Sequence, residues 1–474
     1  MIGGANEAIG NAVAGLQLIE HELLLFAAFW FILGALDDLG VDACWIWLKL
    51  TGRTQEPRVT TEAAGAALQG RAAVLIAAWK ESGVIGHTVR HALAAWTQQD
   101  YTIYVGCYCN DKETIAAVMA EAGSDLRVRV VIHDRPGPTT KADCLNRIHA
   151  ALCADEQRHG FRYRLVVLHD AEDMVHRAEL AVLDAGLNHA DFLQLPVRPE
   201  PQPQSPWVAG HYSDEFTEAH AKVLVVRDAL GAAMPAAGVG CGFSRETIAR
   251  IAKLRLAQGG AGPFASECLT EDYELGVLVW RQGGKSRFLR VRDDEGQLVA
   301  TRAYFPARLD DAVRQKTRWI HGIAFQGWDR LGWGRGLADL WMALRDRRGP
   351  LTAIVLTSGY ALIVVEGLLA LANILGFVGQ RPMAPELRAM LVFCFASFLW
   401  RCINRFAFTT HEYGLAEGFC SILRIPVANL IAITAGRRAL VGYIRTLSGA
   451  AVRWDKTEHT EHPATLARGG ALSL

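Results

Sequence analysis

At 474 residues the chain exceeds the usual size of one domain, so its length implies a large domain with something added. Hydrophobic residues make up 51% of it and mean hydropathy is +0.14, too polar for a transporter built mostly from membrane helices. Lys and Arg balance Asp and Glu at 49 against 49, so net charge implies no polyanion partner and no nucleic acid.

The N-terminus has no basic region and no small-residue cleavage site beside its apolar run, so a cleaved signal peptide is not expected. Residues 23–36 are apolar throughout, between Glu20 and Glu22 on one side and Asp37, Asp38 and Asp42 on the other. That run alone is short for a span and would also suit interfacial or buried packing. Extended through Val41 to Trp45-Ile46-Trp47, it predicts a membrane helix with carboxylates near one end and an aromatic group for the interface.

From Arg58 to Arg335 strands and helices alternate. Residues 72–78 form an apolar run ending in Trp79-Lys80-Glu81, with a helix from Ile85; residues 102–107 and 127–132 alternate as strands. Leu145, Ile148 and Leu152 fall at helical spacing within 141–154, and 164–168 is a buried-strand candidate ending at His169-Asp170. Such alternation predicts an α/β layered sheet with ligands at the carboxyl ends of its strands. The proline-rich stretch 196–206 is expected to be a surface loop.

After Pro350 the chain is apolar again. Residues 351–378 carry a single charge, Glu366, and are long enough to span. Residues 389–400 are uncharged but are followed by Arg401 and Arg405, and 422–435 could span, re-enter or lie flat. Lys49, Arg53 and Arg58 follow the first apolar segment, and Arg345, Arg347 and Arg348 precede the second. The positive-inside rule then puts the α/β domain on the cytoplasmic side. Ten cysteines without a CxxC pair or metal spacing fit a reducing compartment, with Cys107 and Cys109 as packing residues.

Three groups could carry chemistry. Asp170-Ala171-Glu172-Asp173 puts carboxylates at a strand end, where oxygen ligands suit Mg²⁺ or Mn²⁺ bridging substrate phosphates; a solvated acidic loop is the plainer alternative. Asp272, in Thr270-Glu271-Asp272, stands where a helix begins, either as a cap or as a general base. Gln315, Arg318 and Trp319 share a helical face; Arg can hold a diphosphate and Trp can stack on a sugar, or the helix simply packs Trp319 into the core.

In this order the groups resemble the membrane-bound family 2 glycosyltransferases, the class of the cellulose, chitin and hyaluronan synthases. In that family a DxD-type motif binds metal and nucleotide, TED supplies the base, and QxxRW lines the acceptor and diphosphate. The resemblance implies Asp170 and Glu172 as metal ligands, with Glu172 standing for the usual second Asp, and Asp272 as the catalytic base. It also implies Trp79 and Glu81 at the uridine, Lys141 of Lys141-Ala142-Asp143-Cys144-Leu145-Asn146 near the diphosphate, and Gly238 to Arg245 as an acceptor loop. The family's nucleobase-gripping Asp at the end of the second strand is replaced by Cys107-Tyr108-Cys109-Asn110, with Asp111 just beyond as the nearest candidate. His169 to Asp173, Gln315 to Trp319 with Gly327-Trp328, and Trp454-Asp455-Lys456-Thr457-Glu458-His459 look most like the phage-adsorption protein B group of these transferases.

The fold implied is α/β, a GT-A type nucleotide-sugar domain inserted between transmembrane or interfacial helices. Its expected parts are an N-terminal membrane segment at 1–50, a cytoplasmic catalytic domain at 58–335, membrane and interfacial helices at 350–445 and a polar tail at 446–474. The implied activity is inverting, metal-dependent sugar transfer from a UDP-type donor to an acceptor hydroxyl, elongating a surface polysaccharide at a bacterial inner membrane. Transfer of one sugar to a lipid carrier and a non-catalytic membrane scaffold or phage-receptor component are the alternatives. The partners expected are the nucleotide-sugar donor, a glycan or lipid-linked acceptor, the bilayer, and a separate regulatory or export protein.

Overall fold

The computed structural model describes residues 2–54, 56–377, 383–449 and 462–466. The Trp454 to His459 motif, most of the polar tail and Val378 at the end of the second apolar run lie outside the described residues.

Helix α1, Ile2–Leu50, carries the first apolar run. Strand β1, Ala72–Ala77, opens the sheet and is followed by α2, Ile85–Ala95. Then come β2 (Tyr101–Tyr108), α3 (Lys112–Ala122), β3 (Val128–His133), α4 (Lys141–His159) and β4 (Leu165–His169). Strand β5 is Phe192–Gln194, α5 is Gly210–Glu218, β6 is Cys241–Ser244, α6 is Glu271–Arg281, β7 is Ser286–Phe288 and α7 is Leu309–Ile320. The C-terminal helices include α8 (Gly349–Ile374), α9 (Pro385–Tyr413) and α10 (Ile425–Leu447).

The seven strands lie in the order β3-β2-β1-β4-β6-β5-β7. Neighbours are parallel except at β6, which runs antiparallel to β4 and β5. The central strands are buried on both faces, which is why they read as continuous apolar runs. Val74, Ile76, Val105 and Val167 face one core, and Ala73, Leu75, Tyr104 and Val166 the other. Strand order reverses between β1 and β4, whose last paired residues are Ile76 and His169. Trp79 to Glu81 and Asp170 to Glu172 therefore leave the sheet side by side, at the crevice where α/β sheets bind ligands.

Two sequence expectations change here. The stretch 196–206 is not simply a surface loop: Val197–Pro199 forms a short strand paired with Thr301–Ala303, and Gln202 and Ser205 are buried. Its prolines occupy an edge, where a missing ladder donor costs nothing. Within the expected glycine loop, Cys241–Ser244 is a central strand, leaving only the residues before it as loop.

Among the described residues, the stretch Gly10–Leu50 of α1 and helix α8 are long and apolar enough to cross a membrane. A third span results if Leu415–Leu423 and α10, bent by 51° at their junction, count as one. Large apolar side chains such as Phe29, Leu33, Ile363 and Val364 are exposed on these helices, an arrangement stable in lipid and not in water. The protein is membrane-associated.

Charges at the ends of the apolar stretches are paired. Asp37 accepts from Trp341 Nε1 at 2.6 Å and pairs with Arg345 and with Arg348 at 2.8 Å. Asp38 pairs with Arg401 and Arg348, and Asp42 accepts from Lys222 Nζ at 2.5 Å and Trp400 Nε1 at 2.7 Å. Arg405 reaches Asp214 at 3.2 Å. Arg401 and Arg405, which follow the uncharged run 389–400, thus join α9 to α1 and to the α/β domain.

Candidate active site

One cavity of about 360 Å³ opens over the carboxyl ends of β1 and β4. Its lining includes Trp79, Glu81, Lys141, Asp170, Glu172, Asp272, Gln315, Arg318 and Trp319. Asp111 is not in that lining, and of the glycine loop Gly238 to Arg245 only Val239 is.

Asp111 lies behind the wall. It caps α3, accepting from Thr114 N at 3.3 Å, and accepts from Lys80 N at 2.6 Å. Lys80 has φ of +54°, a left-handed conformation that costs a side-chain-bearing residue free energy. The Asp111 bond helps hold that turn, which sends both Trp79 and Glu81 into the cavity. Trp79 also stands edge-on to Tyr108 with ring centres 5.1 Å apart.

The acidic loop after β4 is fixed from beneath. His169 is buried between Asp173, 2.9 Å from Nδ1, and Glu179, 2.6 Å from Nε2. Burial opposes its charge, but Glu179 and Asp173 outweigh burial and raise the imidazole to about 10, so it is a cation. The same Asp173 carboxylate accepts from Asp170 N at 2.9 Å. Asp173, whose carboxylate is held by these bonds, lines the cavity together with Asp170 and Glu172. Lys141, the first residue of α4, ion-pairs with Asp170. Burial works against its ammonium, but Asp170, Glu271 and Asp272 reverse the effect and raise its pKa.

The Thr270-Glu271-Asp272 triplet starts α6, with Thr270 as the cap residue and Asp272 in the first turn. Thr270 makes no side-chain capping bond; it fits against Gly322, where a Cβ would come within 2.4 Å of its hydroxyl oxygen. Leu269 N bonds Gln326 Oε1 at 3.0 Å, so the start of α6 is keyed into the π-helical turn His321–Gln326 that continues α7. Gly238, at φ +78°, leaves room for Asp272: a Cβ there would lie 2.4 Å from its Oδ2. The glycine loop therefore serves the carboxylate itself.

Burial raises the Asp272 pKa, with Lys141 and Arg318 opposing. Glu271 is pushed up to about 7 by burial and by Asp272 beside it. Position in the first turn of a helix would favour a charged acid by roughly 0.3–1 kcal/mol, whereas burial can shift a carboxylate by about 3–5 units, so burial wins. The result is a carboxylate with unusual affinity for a proton, as a general base requires.

Gln315, Arg318 and Trp319 meet the cavity from α7. Trp319 is half-buried, 6.2 Å from both Tyr212 and Phe216 by ring centres, so it packs on a neighbour and faces the cavity together. Gln315 Oε1 is buried with no hydrogen-bond partner among the described residues, an acceptor left for a donor from a ligand.

Sequence reasoning missed His220, Gln194, Phe216, Tyr304 and Phe305, which also line the cavity. No local motif marks them. His220 lies in a π-helical turn, Ala219–Val223, and such turns recur at functional sites, but their hydrogen-bond pattern is not written in sequence.

The chain matches the model of "Glycosyltransferase like family 2" over residues 70–322. It is 33% identical over 472 residues to bacteriophage adsorption protein B of Escherichia coli K12, and likewise to bacteriophage N4 adsorption protein B of Escherichia coli O157:H7. Those alignments take in 94% of this chain but 62% of either relative, so the chain spans less than two thirds of their length. Among solved structures, the mannosyltransferase PcManGT of Pyrobaculum calidifontis, in complex with GDP-Man and Mn²⁺, is 18% identical with a TM-score of 0.49; the match covers 86% of this chain and 98% of that one. Glucosyl-3-phosphoglycerate synthase of Mycobacterium tuberculosis, in complex with Mn²⁺ and UDP-glucose, is 15% identical over 58% of this chain and 87% of its own, with a TM-score of 0.33.

Proposed function

This chain belongs to the family 2 glycosyltransferases, with an α/β domain of the GT-A type, and from that premise we propose that it transfers a sugar from UDP to an acceptor hydroxyl. The observation that carries this reading is the gathering of nine motif residues from five separate stretches of chain around one cavity.

The acceptor oxygen attacks the anomeric carbon from the face opposite the diphosphate. The carbon–oxygen bond to the diphosphate breaks as the new one forms, and the acceptor proton passes to Asp272. Inversion follows from this single displacement. Trp79 and Glu81 receive the uridine, Lys141 and Arg318 hold the diphosphate, and Gln315 and Trp319 orient the acceptor.

Among the described residues no group of three or more His, Cys, Asp or Glu could hold a metal ion unaided. Two cavity-facing carboxylates, Asp170 and Glu172, would instead hold Mg²⁺ or Mn²⁺ together with the donor, since hard oxygen ligands few in number suit these ions. When bound, such an ion neutralises charge on the departing diphosphate.

The cavity lining includes the aromatic residues Phe216, Tyr304, Phe305 and Trp319, whose faces can stack on sugar rings. This supports a glycan acceptor and elongation of a bacterial surface polysaccharide. The basic residues Lys49 and Arg53, and Arg345 to Arg348, support a cytoplasmic position for the domain at an inner membrane.

Purified protein in detergent, given a panel of UDP-sugars with Mn²⁺ or Mg²⁺, is expected to release UDP from one of them. Absence of release with every donor, in a protein that also fails to bind UDP, would refute the proposal.

A further inference from the structure

Beneath the acidic loop, four main-chain carbonyls are held by side chains from elsewhere. Thr88 Oγ1 donates to Ala171 O at 2.6 Å, His91 Nε2 to Val175 O at 2.9 Å and Trp96 Nε1 to His176 O at 3.2 Å; all three donors come from α2 or its C-terminal cap. The fourth comes from far along the chain. His462 Nε2 lies 3.4 Å from Asp173 O and 3.2 Å from Thr88 Oγ1. Ala464 N donates to His462 Nδ1 at 3.1 Å, which leaves Nε2 as the ring nitrogen carrying a proton in the neutral imidazole.

His462 is fully buried, and Thr88 nearly so. Its ring stacks on His87 with centres 5.8 Å apart, and the short helix Pro463–Leu466 continues from it against α2. The contact therefore ties the C-terminal tail to the underside of the Asp170-Ala171-Glu172 turn by two routes. One runs directly to the Asp173 carbonyl; the other passes through Thr88 to the carbonyl of Ala171, which sits between the two cavity-facing carboxylates.

We propose that His462 is a positioning residue for the donor site, and that docking of the tail on α2 and binding of nucleotide at the acidic loop are linked. It rests on the reading that Asp170 and Glu172 engage a metal–diphosphate group. A loop aligned by the docked tail binds that group better, and by reciprocity the bound group favours the docked tail. Loss of one buried hydrogen bond that aligns the loop should weaken binding about three- to tenfold.

The test uses the full chain in detergent, with UDP and Mn²⁺ as the probe. Calorimetry should give a three- to tenfold weaker UDP–Mn²⁺ affinity for His462→Ala, with most of it restored in His462→Gln, whose amide N–H can replace Nε2–H. In the unaltered protein, UDP–Mn²⁺ should slow amide hydrogen exchange at residues 464–466. Equal affinity in the native protein and His462→Ala, equal loss in both variants, or tail exchange indifferent to nucleotide would each overturn the linkage. A native protein that binds no UDP at all would overturn the donor reading itself, and the linkage with it.

Discussion

The two acidic clusters of the cavity are held in opposite ways. The loop 170–173 is fastened along its backbone: Asp173 takes the Asp170 N–H, His169 sits charged between Asp173 and Glu179, and side chains from α2 hold the carbonyls beyond. The triplet 270–272 is placed by close packing, Thr270 against Gly322 and Asp272 against Gly238, and its carboxyls are tuned by burial. Lys141 pairs directly with Asp170 of the first cluster, whereas in the second burial raises the proton affinity of Glu271 and Asp272. The difference fits a division of work in which the loop holds charge in place and the helix start accepts a proton.

The largest expected effect is on the proton acceptor. Asp272→Asn should lower kcat about 10²- to 10⁴-fold, the range for removing a general base, in nucleotide-release kinetics with the best donor. The loop should respond differently: Asp170→Asn should raise the donor KM and the Mn²⁺ concentration needed for half-maximal rate, both roughly tenfold or more, more than it lowers kcat. A kcat loss as large as that of Asp272→Asn, at unchanged KM, would erase the distinction.

Gly238→Ala probes the packing that places Asp272. The substitution puts a methyl group against Oδ2 in a left-handed backbone, so kcat should fall roughly tenfold, on the scale of about 1–3 kcal/mol of strain. UDP binding, measured by calorimetry, should stay within about twofold, since the three atoms nearest the added methyl all belong to Asp272.

The smallest effect is in pH dependence. Asp272 works unprotonated, so activity is lost as pH falls through its raised pKa, and Lys141 is what moderates that rise. Lys141→Met should therefore move the acid limb of the kcat profile upward, by roughly one unit. A limb that stays put or moves down would mean that another group controls it.

Much of this organisation was legible in the sequence because its signals are local. The apolar runs of β1, β2 and β4 gave their own positions, and motif residues at strand ends and on one helical face fell into the cavity as spacing implied. What the sequence left unread depended on contacts across the chain. Asp111, expected near the nucleobase by its place after β2, accepts from Lys80 N, thirty-one positions earlier. The prolines of 196–206 read as a loop because nothing local reveals that residues 301–303 will pair with them. Glu179 and His462 carried no mark at all; only folding brings them to the acidic loop.

The division of work between the clusters is tested most directly by the affinity of Asp272→Asn for UDP with Mn²⁺, measured beside the native protein under the same conditions. The account predicts an affinity within about twofold of native in a variant that has lost nearly all turnover, because the base takes no part in holding the donor. An affinity that falls in step with turnover would show that the helix start also holds the donor, and would contradict the account.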